Sequence, residues 1–182
     1  MVKFYDKVTI SALGQLCGWD LSHAKTFLHR ILREGLLNSL LHSEGSFSNI
    51  SMRIDKKNLT VAISDNGVGI PAVLRYAFKQ SSAHKSLLKS SDVELIKYFT
   101  HPKIVLDSHL IKLSVEKGTT SKPERSGIGL YYLKSFVIAH GGELRIRSGR
   151  GCVDFKKSKT EVKDNLFNSS GTMLRIQTPL KI

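Results

Sequence analysis

The sequence predicts an α/β (α+β) two-layer sandwich, in which a mixed β-sheet carries helices on one face. Apolar residues recur at helical spacing from Ser22 to His42 and predict a long, largely buried helix. Two alternating runs at 50–54 and 59–63 predict a β-hairpin. Three further strand candidates lie near the end of the sequence, at 143–147, 152–156 and 172–178.

Length and composition are those of one folded domain. A chain of 182 residues buries roughly 70% of its unfolded surface when it folds as a single unit. The hydrophobic fraction is 41% and the charged fraction 24%, which excludes disordered and fibrous classes. No repeat or linker divides the sequence, so we expect a single domain over residues 1–182.

The sequence carries no recognisable targeting segment or metal motif. Its first residues lack the apolar stretch of a signal peptide, and no run approaches the ~20 apolar residues of a membrane span. We therefore expect a cytoplasmic protein without membrane contact. Cys17 and Cys152 are in no C-x-x-C pair, so neither a disulfide nor a structural metal is predicted.

The formal net charge is +13, which fits a nucleic-acid surface, an acidic partner or a generally solvated surface. The basic residues are densest between 145 and 163, and few aromatic residues that could stack on bases lie among them. A solvated hairpin face is therefore favoured over a contact surface. The residues concerned are Arg145, Arg147, Arg150, Lys156, Lys157, Lys159 and Lys163.

Glu34, Asn38 and His42 are spaced four residues apart on the predicted helix. Each such step turns about 40°, so the three side chains form one stripe. Leucines surround the stripe, and a carboxylate or amide among apolar neighbours costs several kcal/mol unless it finds a partner. The stripe is either a ligand site or a helix edge turned to water.

Asp65-Asn66-Gly67-Val68-Gly69 follows the second strand of the hairpin. An Asn-Gly step is also the commonest two-residue hairpin turn. The continuation Ile70-Pro71-Ala72 begins a helix, however, and favours a strand-to-helix turn. Glycines in such a turn let the backbone approach a ligand, and the Asp65 carboxylate can accept a hydrogen bond from an exocyclic amine.

Gly127-Ile128-Gly129-Leu130 begins a second helix, which Gly141-Gly142 ends. Free backbone N–H groups at a helix N-terminus favour phosphate oxygens. Taken alone, the motif fits a flexible helix entry better than a phosphate site. Between the glycine motifs the pattern weakens, with short helical stretches at 72–78 and 93–98, and we predict a long lid over residues 72–126.

The motifs together, in this order, resemble those of the Bergerat-fold ATPases, the GHKL superfamily. The resemblance covers residues 22–179 and is greatest to histidine kinase-like catalytic domains and anti-sigma serine kinases. The family's asparagine box matches Glu34 and Asn38, and its two glycine boxes and closing strand match Asp65, Gly67, Gly69, Gly127, Gly129, Gly171 and Thr172.

The resemblance implies ATP and Mg²⁺ as ligands, with a role for each matched residue. Asp65 would bind the adenine amine, helped by Thr172 through a water. Asn38 would ligate Mg²⁺, and Glu34 would orient or deprotonate the nucleophile or support the water shell of the metal. The first glycine box, with Gly67 and Gly69, would form the turn beside the base. Phosphates would contact Gly127, Gly129 and one of Lys122 and Arg125, while the role of His42 stays open.

Two functions follow from the resemblance as alternatives. The first is a stand-alone kinase or ATPase that regulates a protein partner. The second is an ATP-gated binding module without kinase activity, for which a protein partner is preferred over nucleic acid. A degenerate domain that binds nothing is disfavoured, because every expected polar residue is present.

Three features depart from the kinase pattern. The segment from Pro71 to Gly118 and the basic segment from Cys152 to Ser170 are longer than the family needs. No phosphoacceptor domain is expected before the ATPase motifs. His23 and His29 lack a following acidic residue, so we do not expect either to be phosphorylated.

Overall fold

A computed structural model describes residues 7–42, 44–80, 105–117, 119 and 128–180. None of the helices in these ranges has the length and apolar character needed to cross a membrane. In order along the chain, the elements are α1 (Lys7–Cys17), α2 (Leu21–His42), β1 (Ser48–Ile54), β2 (Asn58–Asp65), α3 (Ile70–Gln80), α4 (Asp107–Ser114), α5 (Gly129–Ala139), β3 (Glu143–Gly149), β4 (Gly151–Phe155), β5 (Thr160–Lys163) and β6 (Ser169–Pro179).

The predicted two-layer fold class is confirmed, but the prediction of a mixed sheet was wrong. The strands lie in the order β1-β2-β6-β3-β4-β5, and each is antiparallel to its neighbours. β2 and β3 run in the same direction because each is antiparallel to β6. They are not neighbours, however, since β6 lies between them and pairs antiparallel with both.

The core lies on one face of the sheet, where α2 and α5 cover the central strands. Alternate residues of these strands are buried there, and each fully buried Val, Leu or Ile side chain contributes roughly 1.5–3 kcal/mol. The strand residues are Leu59, Val61, Ile63, Leu144, Ile146, Leu174 and Ile176, and the helices contribute Phe27, Ile31, Leu133 and Val137.

Helix α2 approaches the sheet closely at Gly35. A Cβ atom at this position would collide with the Cδ1 atom of Ile63 on β2. A glycine lowers helix stability by about 1 kcal/mol relative to alanine, so its presence in mid-helix needs a packing reason. Here it allows the part of α2 that carries Asn38 to lie directly on the strand that ends in Asp65.

Helices α3 and α4 form a second packed cluster, in which Leu74, Phe78, Val105 and Leu110 are buried. Arg75 Nη2 lies 2.6 Å from Asp107 Oδ1, and the other oxygen of this carboxylate accepts a 2.7 Å hydrogen bond from the Arg150 backbone. The two helices are therefore fixed to the turn between β3 and β4. The rest of the predicted lid, including 93–98, lies outside the described residues.

Three elements have no counterpart in the sequence prediction, namely α1, α4 and β5. Helix α1 brings Leu13 and Cys17 into the main core, where the adjoining Trp19 packs against Phe27 with ring centroids 4.8 Å apart. Strand β5 is a short edge strand of four residues that pairs with β4.

Candidate functional site

A cavity of about 760 Å³, partly open to solvent, lies between α2, α3 and the ends of β2 and β6. Small-molecule sites in proteins are mostly apolar with a few placed polar groups. The lining has this character. It consists of Gly35, Asn38, Ser39, Ile63, Asp65, Gly69, Ile70, Val73, Leu74, Ser114, Thr119, Leu130, Thr172 and Leu174.

Asp65, the last residue of β2, places a partly buried carboxylate in the cavity wall. Its Oδ1 atom accepts backbone N–H bonds from Gly67 at 2.9 Å and Thr172 at 3.2 Å. Burial raises the pKa of the Asp65 carboxyl above its ordinary value, and the two hydrogen bonds act in the opposite direction. Since both bonds made by described residues are to Oδ1, Oδ2 is the atom left for a ligand donor.

Ser148 on β3 is fully buried and connects three parts of the site. Its hydroxyl accepts the Ile70 N–H at 2.9 Å and donates to the Gly171 carbonyl at 2.9 Å. Its oxygen also lies 3.0 Å from Thr172 Oγ1. Because the single Ser148 proton is directed at Gly171, the Thr172 hydroxyl donates to Ser148 and keeps its lone pairs for another group.

Two glycines with positive φ allow these elements to meet. At Gly171, with φ +76°, an added Cβ would lie 2.6 Å from the Asp65 carbonyl carbon. At Gly69, with φ +82°, it would lie 2.7 Å from Ser148 Oγ. A larger residue at either position would separate β6 or the start of α3 from the carboxylate.

Asn38 on α2 contributes a buried amide whose Nδ2 atom has no hydrogen-bond partner among the described residues. Leaving such a group unpaired costs about 1–3 kcal/mol, so the position favours a ligand. The oxygen and nitrogen of an amide exchange places on a 180° rotation, so the same position can present Oδ1.

Glu34 and Gly129 contact each other beside the cavity. A Cβ added at Gly129 would collide with Glu34 Oε2, so the carboxylate lies against the first residue of α5. Neither residue lines the cavity, although the adjacent Gly35 and Leu130 do. This places a carboxylate next to a helix N-terminus, where the helix dipole favours negative charge.

The structure brings most of the predicted site residues together. Four of them line one cavity, namely Asn38, Asp65, Gly69 and Thr172. Gly67 acts through its N–H bond to Asp65. Lys122, Arg125 and Gly127 lie outside the described residues, as does the side chain of His42.

Ser148 and Gly35 were not predicted as site residues, although the sequence around each shows an unusual pattern. Ser148 is the polar residue that continues the buried alternation of Leu144 and Ile146 on β3. Gly35 interrupts a helical run of leucines at a position where no turn is needed. A polar residue in a buried register and a mid-helix glycine both indicate close contact with another element.

A family model matches most of the chain. Residues 23–181 match the model of the histidine kinase-, DNA gyrase B- and HSP90-like ATPases. The chain belongs to this family. It is therefore an ATP-binding domain of the histidine kinase-like type, and the predicted family resemblance is confirmed.

One solved structure similar to this ATPase domain is a mycobacterial sensor histidine kinase, MprB. The two are 22% identical, with a TM-score of 0.45, and the match covers 88% of this chain and 72% of the kinase chain. Among curated protein sequences, no match reaches significance.

The described part of this ATPase domain contains no group of three or more His, Cys, Asp or Glu side chains that could hold a metal ion by themselves. Mg²⁺ differs from most protein-bound metals in this respect. It is commonly held by one or two protein oxygens together with substrate phosphates and waters. The unpaired Asn38 amide meets that limited requirement, so the residues present fit a nucleotide-bound Mg²⁺.

We predict that Gly171→Ala destabilises the protein more than Gly141→Ala. Both glycines have positive φ, but a Cβ at Gly141 meets only Pro179 Cγ at 3.7 Å, whereas at Gly171 it strikes the Asp65 backbone. At Gly141, backbone strain alone should lower the free energy of unfolding by about 1–2 kcal/mol. At Gly171 the clash adds to the strain, and the free energy of unfolding should fall by about 2–5 kcal/mol. Urea denaturation measures both, and equal losses would show that the contact with Asp65 is unimportant.

We also predict that Asp65→Asn stabilises the nucleotide-free protein at pH 7. The raised pKa means that folding disfavours the ionised carboxyl, so its unfavourable contribution is present above that pKa and disappears as pH falls towards the ordinary 3.8. Asparagine keeps an oxygen for the two N–H donors. The advantage of the variant should therefore shrink on acidification in urea denaturation. A variant less stable than wild type at pH 7 would contradict this assignment.

Proposed function

We propose that the cavity binds ATP as its magnesium complex, with adenine beside Asp65 and the phosphates towards Asn38 and the start of α5. One observation carries the proposal: two polar groups that lack partners among the described residues, Oδ2 of the partly buried Asp65 carboxylate and the buried Nδ2 atom of Asn38, lie on residues that line the same cavity. Family membership supplies ATP as the ligand, and the two polar groups supply its orientation.

At the adenine end, the Asp65 Oδ2 atom accepts a hydrogen bond from the exocyclic amine. An ionised carboxylate only accepts, so it disfavours guanine, which presents a carbonyl oxygen at the corresponding ring position. The lone pairs of the Thr172 hydroxyl accept a bond from a bridging water. Ile63 and Leu174 are paired across β2 and β6, and their side chains provide an apolar surface for the ring.

At the phosphate end, Asn38 Oδ1 would hold Mg²⁺, which when bound neutralises phosphate charge. The backbone N–H groups at the start of α5 favour the phosphate oxygens, because an N-terminal helix end carries partial positive charge. Lys122 or Arg125, with Gly127, completes this end in our proposal, on the strength of the family resemblance.

We further propose that Glu34 assists attack on the γ-phosphorus. Its Oε2 atom accepts the proton of the attacking hydroxyl or water, while the bond from the γ-phosphorus to the bridging oxygen breaks and ADP leaves. Its position against Gly129 supports this role, since the carboxylate lies where the phosphate-binding turn meets α2. The phosphoryl group passes to a regulatory protein partner or to water.

The charge distribution supports a protein partner over nucleic acid. Several basic residues of the 145–163 segment are paired within it: Arg145 bonds Asp154 at 2.8 Å, and Lys156 bonds Glu161 at 3.0 Å. Lys159 contacts the same glutamate, whose pKa the two lysines lower to about 2. These three cations are paired within the segment and are therefore less available for the phosphates of a nucleic acid.

We predict that Asn38→Ala weakens magnesium-dependent ATP binding at least about 10-fold, the effect of losing one polar contact to a charged group. The free energy of unfolding should stay the same or rise, because a buried amide without a partner is removed. Calorimetric titration with ATP and Mg²⁺ measures binding, and Asn168→Ala, at an exposed loop position, is the control. Unchanged affinity in Asn38→Ala would contradict the site.

Turnover distinguishes an enzyme from an ATP-gated binding module. With ATP labelled on the γ-phosphate and candidate partners, labelled protein indicates transfer and free phosphate indicates hydrolysis. We predict that Glu34→Gln lowers either rate about 100-fold or more while ATP affinity is retained. Wild-type turnover in this variant would exclude the proposed role of Glu34. Tight binding without turnover by the wild type would favour the binding module.

A further inference from the structure

Strand β1 is an edge strand with an exposed apolar side. Ile50, Met52 and Ile54 alternate along it and are 39%, 44% and 38% exposed. They point to the same face of the sheet as the buried residues of β2, because their register partners are Ile63, Val61 and Leu59. The apolar face of the sheet, which α2 and α5 cover at the central strands, thus extends to β1, where it is partly exposed.

The opposite edge of the same sheet is different. Strand β5 has four residues, Thr160–Lys163, and it carries Glu161 and Lys163. A short, charged strand is one of the devices by which proteins block pairing at a sheet edge. Strand β1 has seven residues, one charge at Arg53 and no proline or bulge in its pairing with β2. Within the ranges that the structure describes, one edge of the sheet is therefore protected and the β1 edge is not.

The hydrogen bonds at both ends of the hairpin show which backbone groups of β1 point away from β2. Asp55 N–H donates to the Asn58 carbonyl at 3.0 Å, and Asn66 N–H donates to the Phe47 carbonyl at 3.3 Å. Both pairs continue the β1–β2 register, and hydrogen-bonded pairs alternate in antiparallel strands. Residues 47, 49, 51, 53 and 55 therefore bond towards β2, whereas Ser48, Ile50, Met52 and Ile54 direct their backbone groups outwards.

We propose that β1 pairs antiparallel with β1 of a second copy of this chain, about a two-fold axis at Met52. The strand itself indicates a second copy as the partner. Its sequence, Ile50-Ser51-Met52-Arg53-Ile54, has the same order of apolar and polar residues in both directions. A two-fold interface requires such self-complementarity. The two sheets then form one continuous sheet, independently of what the cavity binds.

The backbone and the side chains select the same register. When Met52 lies opposite Met52 of the partner subunit, each Ile50 lies opposite an Ile54. The backbone groups of all three residues point away from β2 and can therefore form the hydrogen bonds between the two β1 strands. Arg53 lies opposite Ser51. A shift by one residue either opposes the two Arg53 side chains or leaves Ile54 opposite Ser48, and like charges directly opposite each other destabilise a sheet.

The wild-type chain is therefore expected to have twice its 20.3 kDa mass by light scattering after gel filtration. Met52→Lys places two ammonium groups opposite each other at the axis and should give the mass of one chain. Val162→Lys, at an exposed position of the other edge strand, should leave the doubled mass unchanged. A wild type of single-chain mass throughout a dilution series overturns the proposal, as does a doubled mass that survives Met52→Lys or is lost in Val162→Lys.

Oxidative cross-linking tests the register without relying on a destabilising charge. Hydrogen-bonded partners in antiparallel strands have Cα atoms about 5.5 Å apart, within the range of a disulfide. Met52→Cys should therefore form a disulfide between subunits. In Ile54→Cys the two new thiols would be roughly 13 Å apart along the strands and should stay reduced.

The native thiols do not interfere with this experiment. Cys17 and Cys152 are buried, and burial raises the pKa of both, so they oxidise slowly. A Met52→Cys protein that remains uncrosslinked, or an Ile54→Cys protein that crosslinks equally well, would exclude this pairing.

Discussion

The contact between β6 and the end of β2 is the constraint on which the site depends. Gly171 lies so close to the Asp65 backbone that no side chain fits between them, and the Thr172 N–H thereby reaches the Asp65 carboxylate. The same contact places the Gly171 carbonyl on Ser148, whose hydroxyl also receives the N–H of Ile70 at the start of α3. Hydrogen bonds that need no ligand thus hold the start of α3 and three strands, β2, β3 and β6, around one carboxylate.

The polar groups of the cavity divide into those that the protein satisfies and those that it leaves open. Asp65 Oδ1 and Ser148 are fully engaged and give the site its shape. The Asn38 Nδ2 atom is buried without a partner in the described part of the chain, and the burial of Asp65 raises the pKa of its carboxyl. These features lower the stability of the free protein, and a ligand that pairs with both groups removes the cost. Strained or unpaired polar groups of this kind concentrate at functional sites.

The elements that local pattern controls could be predicted from the sequence. The period of 3.6 in α2 and the alternation in β1 and β2 identified those elements, and the Ile70-Pro71 continuation correctly favoured a helix over a hairpin after Asp65. The order of motifs along the chain led to the family. No local pattern relates residues a hundred positions apart. The motif order alone predicted that Asn38, Asp65 and Thr172 lie at one cavity.

Features that depend on contacts between distant parts of the chain were missed or predicted wrongly. Strand direction depends on β6 entering between β2 and β3, a choice made by packing of the whole sheet, so the mixed sheet could not be recognised as wrong from the sequence. Strand β5 has only four residues, two of them charged, so it shows no apolar alternation in the sequence. Helix α1 is identified by its packing into the core and not by its sequence pattern. Ser148 looks like an ordinary strand serine until its three neighbours are known.

A crystal structure of the chain with Mg²⁺ and a non-hydrolysable ATP analogue would locate the nucleotide. We expect the adenine amine within about 2.7–3.2 Å of Asp65 Oδ2, the ring against Ile63 and Leu174, and the phosphates on the Asn38 side of the cavity. A nucleotide bound elsewhere, or one in this cavity with its base away from Asp65, would contradict the proposal.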